Sequence, residues 1–272
     1  MSRNREFNFP ASPLPRHIAA MALITLLTDF GTADPYVAEM RGVLYSRAPG
    51  VTLADMSHGI PPGDVHAAAY LFDRTWHRFP RGTVHLVVVD PGVGTGRAAL
   101  AFAAAGHLFV GPDNGIFTSV FGQAEGPLTA IRTPPDAAPT FHGRDLFSPA
   151  AAGLALGAPL TTLGEPLPTA PVLLVLPVPF YEGKSVVGEV ISVDRFGNLV
   201  TNLTLTEVPP YAVLEVEDAD VGPLRRTFSD VESGQLVAYL GSGGQVEIAV
   251  RDGSAARRIG LGVGGRVRAR LG

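Results

Sequence analysis

Apolar runs that stop at turn residues divide the first half of the chain into strands and helices. Ala22 to Leu27, Val51 to Met56 and Val84 to Asp90 are predicted strands. The last of these, rich in valine and apolar without alternation, reads as buried on both faces. Between the first two, Tyr36, Val37, Met40, Val43 and Leu44 fall on one helical face behind Asp34-Pro35, and that helix stops near Pro49-Gly50. A second helix is expected over Val65 to Trp76 with Asp64 as its N-cap. The resulting β-α-β-α-β order implies parallel strands with right-handed crossovers.

The pattern then shortens. Ala98 to Ala103 and His107 to Val110 predict a hairpin around Ala105-Gly106, Ile116 to Phe121 a short helix, and Leu146 to Leu156 an alanine-rich helix closed by Gly157. From Ser185 onward the signal is β: Val186–Val193, Ala212–Val216, Gln235–Tyr239, Gln245–Val250 and Arg266–Leu271 alternate between glycine turns. The expected fold is an α/β N-terminal domain with a mainly parallel central sheet, plus a C-terminal all-β, barrel-like domain. Its divisions are a flexible extension over 1–20, the α/β domain over 21–165, a proline-rich linker over 166–184 and the β-barrel over 185–272. Met21 is an alternative natural start.

Composition narrows the function. With 272 residues, 46% hydrophobic and 17% charged, the chain reads as a well-buried globular protein. A net charge of −4 without a basic block gives nucleic-acid binding no support. The apolar stretch Ala19 to Leu27 is too short to span a bilayer and runs straight into Thr28-Asp29. Cysteine is absent, which removes disulfides, thiolate metal sites and a cysteine nucleophile, and fits a cytoplasmic protein. The histidines show no metal-ligand spacing.

The residues that could carry chemistry cluster where apolar runs end. Asp90 closes the valine strand, and the turn Pro91 to Gly96 is placed to swing Arg97 back towards it. The glycines do not open a helix, which argues against a phosphate loop. Asp29 follows the first strand in Thr28-Asp29-Phe30-Gly31; a magnesium-binding DFG fails for want of a preceding glycine-rich loop and an HRD segment, which leaves Asp29 as a cap of the next helix. His142, in Phe141-His142-Gly143-Arg144-Asp145, is a candidate proton acceptor, while the plainer reading makes Asp145 an N-cap. Asp194-Arg195-Phe196-Gly197-Asn198 interrupts a strand, either as a bulge or as a display of carboxylate, ring and amide. The Gly241-Ser242-Gly243-Gly244 turn offers a hydroxyl and bare N–H groups.

Together LTDFG (27–31), VVDPGVGTGR (88–97), GPDNG (111–115), FHGRD (141–145), DRFGN (194–198) and YLGSGG…EIAV (239–250) resemble, in order, the motifs of the S-adenosylmethionine hydroxide adenosyltransferases of the fluorinase/chlorinase superfamily. The resemblance implies hydrolysis of S-adenosyl-L-methionine to adenosine and methionine, with no cofactor, in a homotrimer with active sites at subunit interfaces. It implies that Asp90, Arg97 and His142 activate water and that Asp29 binds ribose; on the chemistry, His142 is expected to take the proton or hold a hydroxide while Arg97 and Asp90 orient it. Phe196 and Asn198 would hold adenine, with Phe228 as a second ring face. Asp194 and Ser242 would meet the methionine end, and Glu247 and the Val250 backbone the far side of the pocket, where the plainer reading of both is strand packing. The halogenating relatives carry Tyr-Ser where this chain has His142-Gly143, and an Arg where it has Gly243. The competing readings are a halogenase or other nucleophile transferase, and a non-catalytic binder of S-adenosylmethionine or adenosine.

Overall fold

The computed structural model describes residues 22–217 and 219–272; the expectations for the 1–20 extension and for Met21 lie outside the described residues. Seven strands form the first sheet: β1 (Leu23–Thr28), β2 (Thr52–Ser57), β3 (Val84–Val88), β4 (Ala99–Ala104), β5 (His107–Pro112), β6 (Thr129–Ile131) and β7 (Gly164–Pro166). Their order is β2-β1-β3-β5-β4-β6-β7. β2, β1, β3 and β5 are mutually parallel, and β4 and β7 run against the rest. Helices α1 (Tyr36–Arg47), α2 (Val65–Thr75) and α3 (Ser148–Ala155) cover the sheet.

β3 is buried along its whole length. Val84, Leu86 and Val88 pack into one core with Met40 and Leu44 of α1 and Ala151 of α3. Val87 and Val89 pack into the other with Phe72 of α2, Phe109 and Phe117. Burial on both faces is why the strand reads as unbroken apolar sequence. Asp64 caps α2 as expected, its Oδ1 accepting from Ala67 N at 2.9 Å.

The second half forms β8 (Phe180–Glu182), β9 (Ser185–Val193), β10 (Leu199–Thr204), β11 (Val213–Val216), β12 (Ala219–Arg225), β13 (Leu236–Leu240), β14 (Gln245–Val250) and β15 (Arg266–Arg270), with a short helix α4 (Ala255–Ile259). The order β10-β14-β13-β12-β11-β15-β9 closes through the β9–β10 pairing into a seven-stranded barrel, and β8 adds to β9 outside it. Closure removes the free sheet edges.

Four expectations are corrected. Ile116 to Phe121 does not form an α-helix: it winds as turns, with Thr118 N bonded to Gly115 O and Val120 N to Phe117 O, and ends in a 3₁₀ turn at Phe121–Gln123. Asp145 is not an N-cap, because winding has already begun in a π-turn over Gly143–Phe147, and its Oδ2 accepts from Ala138 N instead. Asp29 does not cap α1, whose N-cap position is Pro35 without a side-chain bond. Asp194 to Asn198 is the hairpin turn between β9 and β10, not a bulge within one strand.

A buried polar chain crosses the α2 side of the sheet. Thr25 Oγ1 bonds His85 Nδ1 at 2.8 Å, and His85 Nε2 meets His107 Nδ1 at 3.2 Å. Burial, then the neighbouring His107, pushes His85 down to about 3. The unfolded chain therefore takes up a proton near pH 6.5 that the folded chain refuses until about pH 3. Stability should fall as pH drops below 6.5, by about 1.4 kcal/mol per pH unit from this group. Thermal melts between pH 7.5 and 4.5 check this: His85→Gln should flatten the slope, and an unchanged slope would refute the assignment.

Candidate active site

Parallel sheets place ligands at the C-terminal ends of their strands. β1, β3 and β5 are neighbours, and their exits carry Asp29, Asp90 and Asp113. After β1 the chain turns through Gly31, at φ +65°, and Gly31 N bonds His58 O at 2.8 Å. Asp29 Oδ2 accepts from Gly63 N at 2.7 Å, which fixes the carboxylate at the head of α2.

After β3, Val93 N bonds Asp90 O and Thr95 N bonds Gly92 O, so two successive turns reverse the chain. Arg97 returns to pair with Asp90, as the sequence suggests, and both side chains are less than a tenth exposed. Arg97 Nη1 also donates to Ala98 O at 3.0 Å, and its guanidinium lies 5.3 Å from the Phe147 ring centre. Arg97 Nη2 lies 3.1 Å from His142 Nδ1. His142 itself enters the π-turn before α3, a local widening of the helix of the kind that recurs at functional sites.

That contact fixes a tautomer. A guanidinium has donors only, so Nδ1 of His142 must accept. The neutral ring then carries its hydrogen on Nε2. Burial, then the charge of Arg97, lowers the pKa of His142 from its ordinary 6.5, which favours that neutral form near pH 7. Asp90 moves the other way: burial raises its pKa above the ordinary value, against the pull of Arg97. Asp90 Oδ1 is buried without a hydrogen-bond partner among the described residues. Asp29, Asp90 and His142 share a pocket of ≈ 320 Å³ that Phe30, Thr140 and Phe141 also line. Phe30 and Phe141 lie inside the LTDFG and FHGRD motifs without a role of their own there, and nothing in the sequence marks Thr140.

The remaining predicted residues gather elsewhere, on the barrel. Asp194 Oδ1 accepts from the N–H groups of Phe196 and Asn198 at 2.9 Å each, and its Oδ2 from Asn198 Nδ2 at 2.8 Å. Phe196 is left 77% exposed and Phe228 47% exposed, so two aromatic faces are open to a flat ring. Phe228 stands edge-on to Tyr239, whose hydroxyl donates to buried Glu247 at 2.9 Å. Val250 packs into the barrel core. Ser242 Oγ accepts from Arg74 Nη2 at 3.1 Å. Arg74 and its neighbour Tyr70 also escaped the sequence reading; their i, i+4 spacing on α2 is the available signal. None of these barrel residues lines the Asp90 pocket. The larger cleft between sheet and barrel, ≈ 650 Å³, holds Tyr70, Glu189 and Asn202 but no predicted site residue. Among the described residues no three His, Asp or Glu side chains gather as metal ligands, and no helix is long and apolar enough to cross a membrane.

Residues 24–164 match the model of the SAM hydroxide adenosyltransferase N-terminal domain, and 188–268 that of the C-terminal domain. The chain is 44% identical over 260 residues to an (R)-S-adenosyl-L-methionine hydrolase of Thermus thermophilus, covering 91% of this chain and 99% of the relative. It is 28% identical over 278 residues to a fluorinase of an Actinoplanes species, covering 84% and 90%. An uncharacterized conserved protein from Thermotoga maritima superposes with a TM-score of 0.83 at 32% identity, over 91% of this chain and 99% of that one.

Proposed function

The chain belongs to the SAM hydroxide adenosyltransferase family, and on that footing we propose that it hydrolyses S-adenosyl-L-methionine to adenosine and L-methionine. The observation that carries the reading is the buried Asp90–Arg97–His142 chain, whose Asp90 and His142 share one pocket with Asp29. The substrate is a sulfonium and its leaving group a neutral thioether, so departure needs no general acid and no cofactor. What the protein must supply is an oxygen nucleophile in line behind C5′, and holding two partners in that geometry is worth roughly 7–11 kcal/mol.

The hydrogen-bond directions divide the labour. His142 Nδ1 is engaged by Arg97, so the ring meets the attacking water through Nε2–H, as a donor that orients it. Asp90, raised in pKa by burial and with Oδ1 free of a hydrogen-bond partner among the described residues, takes the proton. The water oxygen bonds to C5′, the C5′–S bond breaks, and its electron pair leaves on methionine sulfur. Arg97 holds the carboxylate in place, which also restrains it from attacking C5′ itself. Asp29 binds the ribose hydroxyls. Phe196, Phe228 and Asn198 hold adenine; Asp194 and Ser242 meet the methionine end, with Glu247 and Val250 behind.

Because the barrel residues stand outside the Asp90 pocket, this reading needs the barrel of a second copy over each pocket, as in a homotrimer. The exposed apolar side chains Leu173, Val175, Val178, Phe180 and Tyr181 support such an interface. We place the protein in the cytoplasm, where its substrate is made. Incubation with S-adenosyl-L-methionine should release adenosine and methionine in equal amounts by chromatography, with or without added chloride or fluoride. A 5′-halo-nucleoside would favour a halogenase instead, and tight binding without products a non-catalytic binder.

A further inference from the structure

A residue outside the recognised motifs completes the charge balance of the barrel-side half of the site. The methionine end of the substrate carries an ammonium and a carboxylate. Of the residues assigned to it so far, Asp194 suits the ammonium, but Ser242 is neutral, and Phe196, Asn198, Phe228, Glu247 and Val250 add no positive charge. A carboxylate taken out of water without a cation is costly.

Arg74, in the last turn of α2, stands where that cation is missing. Its Nη2 donates to Ser242 Oγ at 3.1 Å and its Nη1 to Tyr70 Oη at 2.8 Å. No carboxylate forms an ion pair with it among the described residues. The turn it meets is bare. A Cβ on Gly243 would lie 2.7 Å from Arg74 Cζ and 2.5 Å from Gln245 Oε1, so the guanidinium lies directly against the bare backbone here and a side chain would push it aside. Gln245 Oε1 is itself buried without a partner. Burial, and behind it the charges of Glu247 and Asp194, raise the pKa of the Tyr70 hydroxyl that Arg74 meets, against the pull of Arg74 itself. As a strut between helix and barrel, a single exposed Arg–Ser bond would contribute little. As a fork with unused N–H donors beside a hydroxyl, it matches a carboxylate.

We propose that Arg74, reaching across from α2 over Gly243, binds the α-carboxylate of the methionine moiety together with Ser242 and sets the preference for an amino-acid-bearing sulfonium. The assignment rests on the hydrolase reading of the site.

Arg74→Ala and Arg74→Lys are compared with the unmutated protein by steady-state kinetics and calorimetry, using S-adenosyl-L-methionine and its decarboxylated analogue. Losing a charge-assisted contact of this kind should raise KM and Kd for the carboxylate-bearing substrate about 10–100-fold, with kcat changed less than about threefold. Binding of the decarboxylated analogue should stay within about threefold in Arg74→Ala, and Arg74→Lys should recover part of the loss. Equal weakening of both ligands would overturn the assignment, as would no weakening of either, or reproduction of the selective loss by Arg195→Ala. Absence of turnover in the unmutated protein would count against hydrolysis, and the calorimetric comparison would still decide the role of Arg74.

Discussion

Asp90→Asn is expected to lower kcat for adenosine formation by about 10²–10⁴-fold, the range for loss of a positioned base, while His142→Gln keeps the rate within about tenfold of the unmutated protein. The contrast follows from hydrogen-bond direction. Asparagine fills the space of Asp90 but cannot take a proton. Glutamine lacks an ionisable ring yet places an N–H donor near the position of Nε2, which is the function left to His142 once Arg97 occupies Nδ1. Arg97→Ala is a less clean probe, because it strands a carboxylate that is 5% exposed and would cost about 3–5 kcal/mol of stability as well. The pH profile supplies a second readout. Both Asp90 ionised and His142 neutral are required, so activity should hold at and above pH 7 and fall only on the acid side. The His142 limb should lie below 6.5, since burial and Arg97 lower it, and it should vanish in His142→Gln. Equal losses in Asp90→Asn and His142→Gln, or a larger loss in His142→Gln, would return the base to His142.

Much of the fold is legible along the chain because local signals agree with burial. β3 is sandwiched between two cores, so its apolar run has no alternation to confuse it. Asp64 caps α2 where a capping residue precedes a helical face. Misreadings fall where tertiary contacts override local preference. Asp145 has the sequence context of an N-cap, but the backbone is already winding through a π-turn that carries His142 into the pocket. The Asp194 turn reads as a break in a strand, because pairing of β9 with β10 is a matter of register that one segment does not disclose. At the site, Asp90 and Arg97 are seven residues apart and joined by a glycine turn, so their meeting is visible in the sequence. His142 joins them only through the packing of α3 on β3, and Arg74 reaches Ser242 across 168 residues; neither meeting has a local signature.

Gly111→Ala is expected to impair both stability and catalysis, although it adds one methyl group at a distance from any reacting atom. Gly111 lies in β5 beside β3, and a Cβ there would stand 2.6 Å from Val87 O and 2.9 Å from Phe117 Cζ. Neither neighbour can yield cheaply. Val87 O is strand backbone, and Phe117 is fully buried against Phe72, Phe102 and Phe109. Overpacking of this kind costs about 1–3 kcal/mol, or roughly 2–4 °C in thermal midpoint per kcal/mol. The direction of relief makes the catalytic effect larger than the thermal one. Moving Val87 moves Val89, whose carbonyl is held by Asn114 Nδ2 at 2.8 Å, and with it Asp90. A displacement near 1 Å at an attacking group can cost about 10²-fold in rate. Gly42→Ala separates this from a general intolerance of substitution: Gly42 is exposed inside α1 with nothing within 4 Å of a Cβ. There the same change should raise stability by roughly 0.5–1 kcal/mol, the helix-interior difference between the two residues, with kcat unaltered. Thermal melts and turnover measured on both variants decide it, and a Gly111→Ala protein with normal kcat would mean that the end of β3 does not set the position of Asp90.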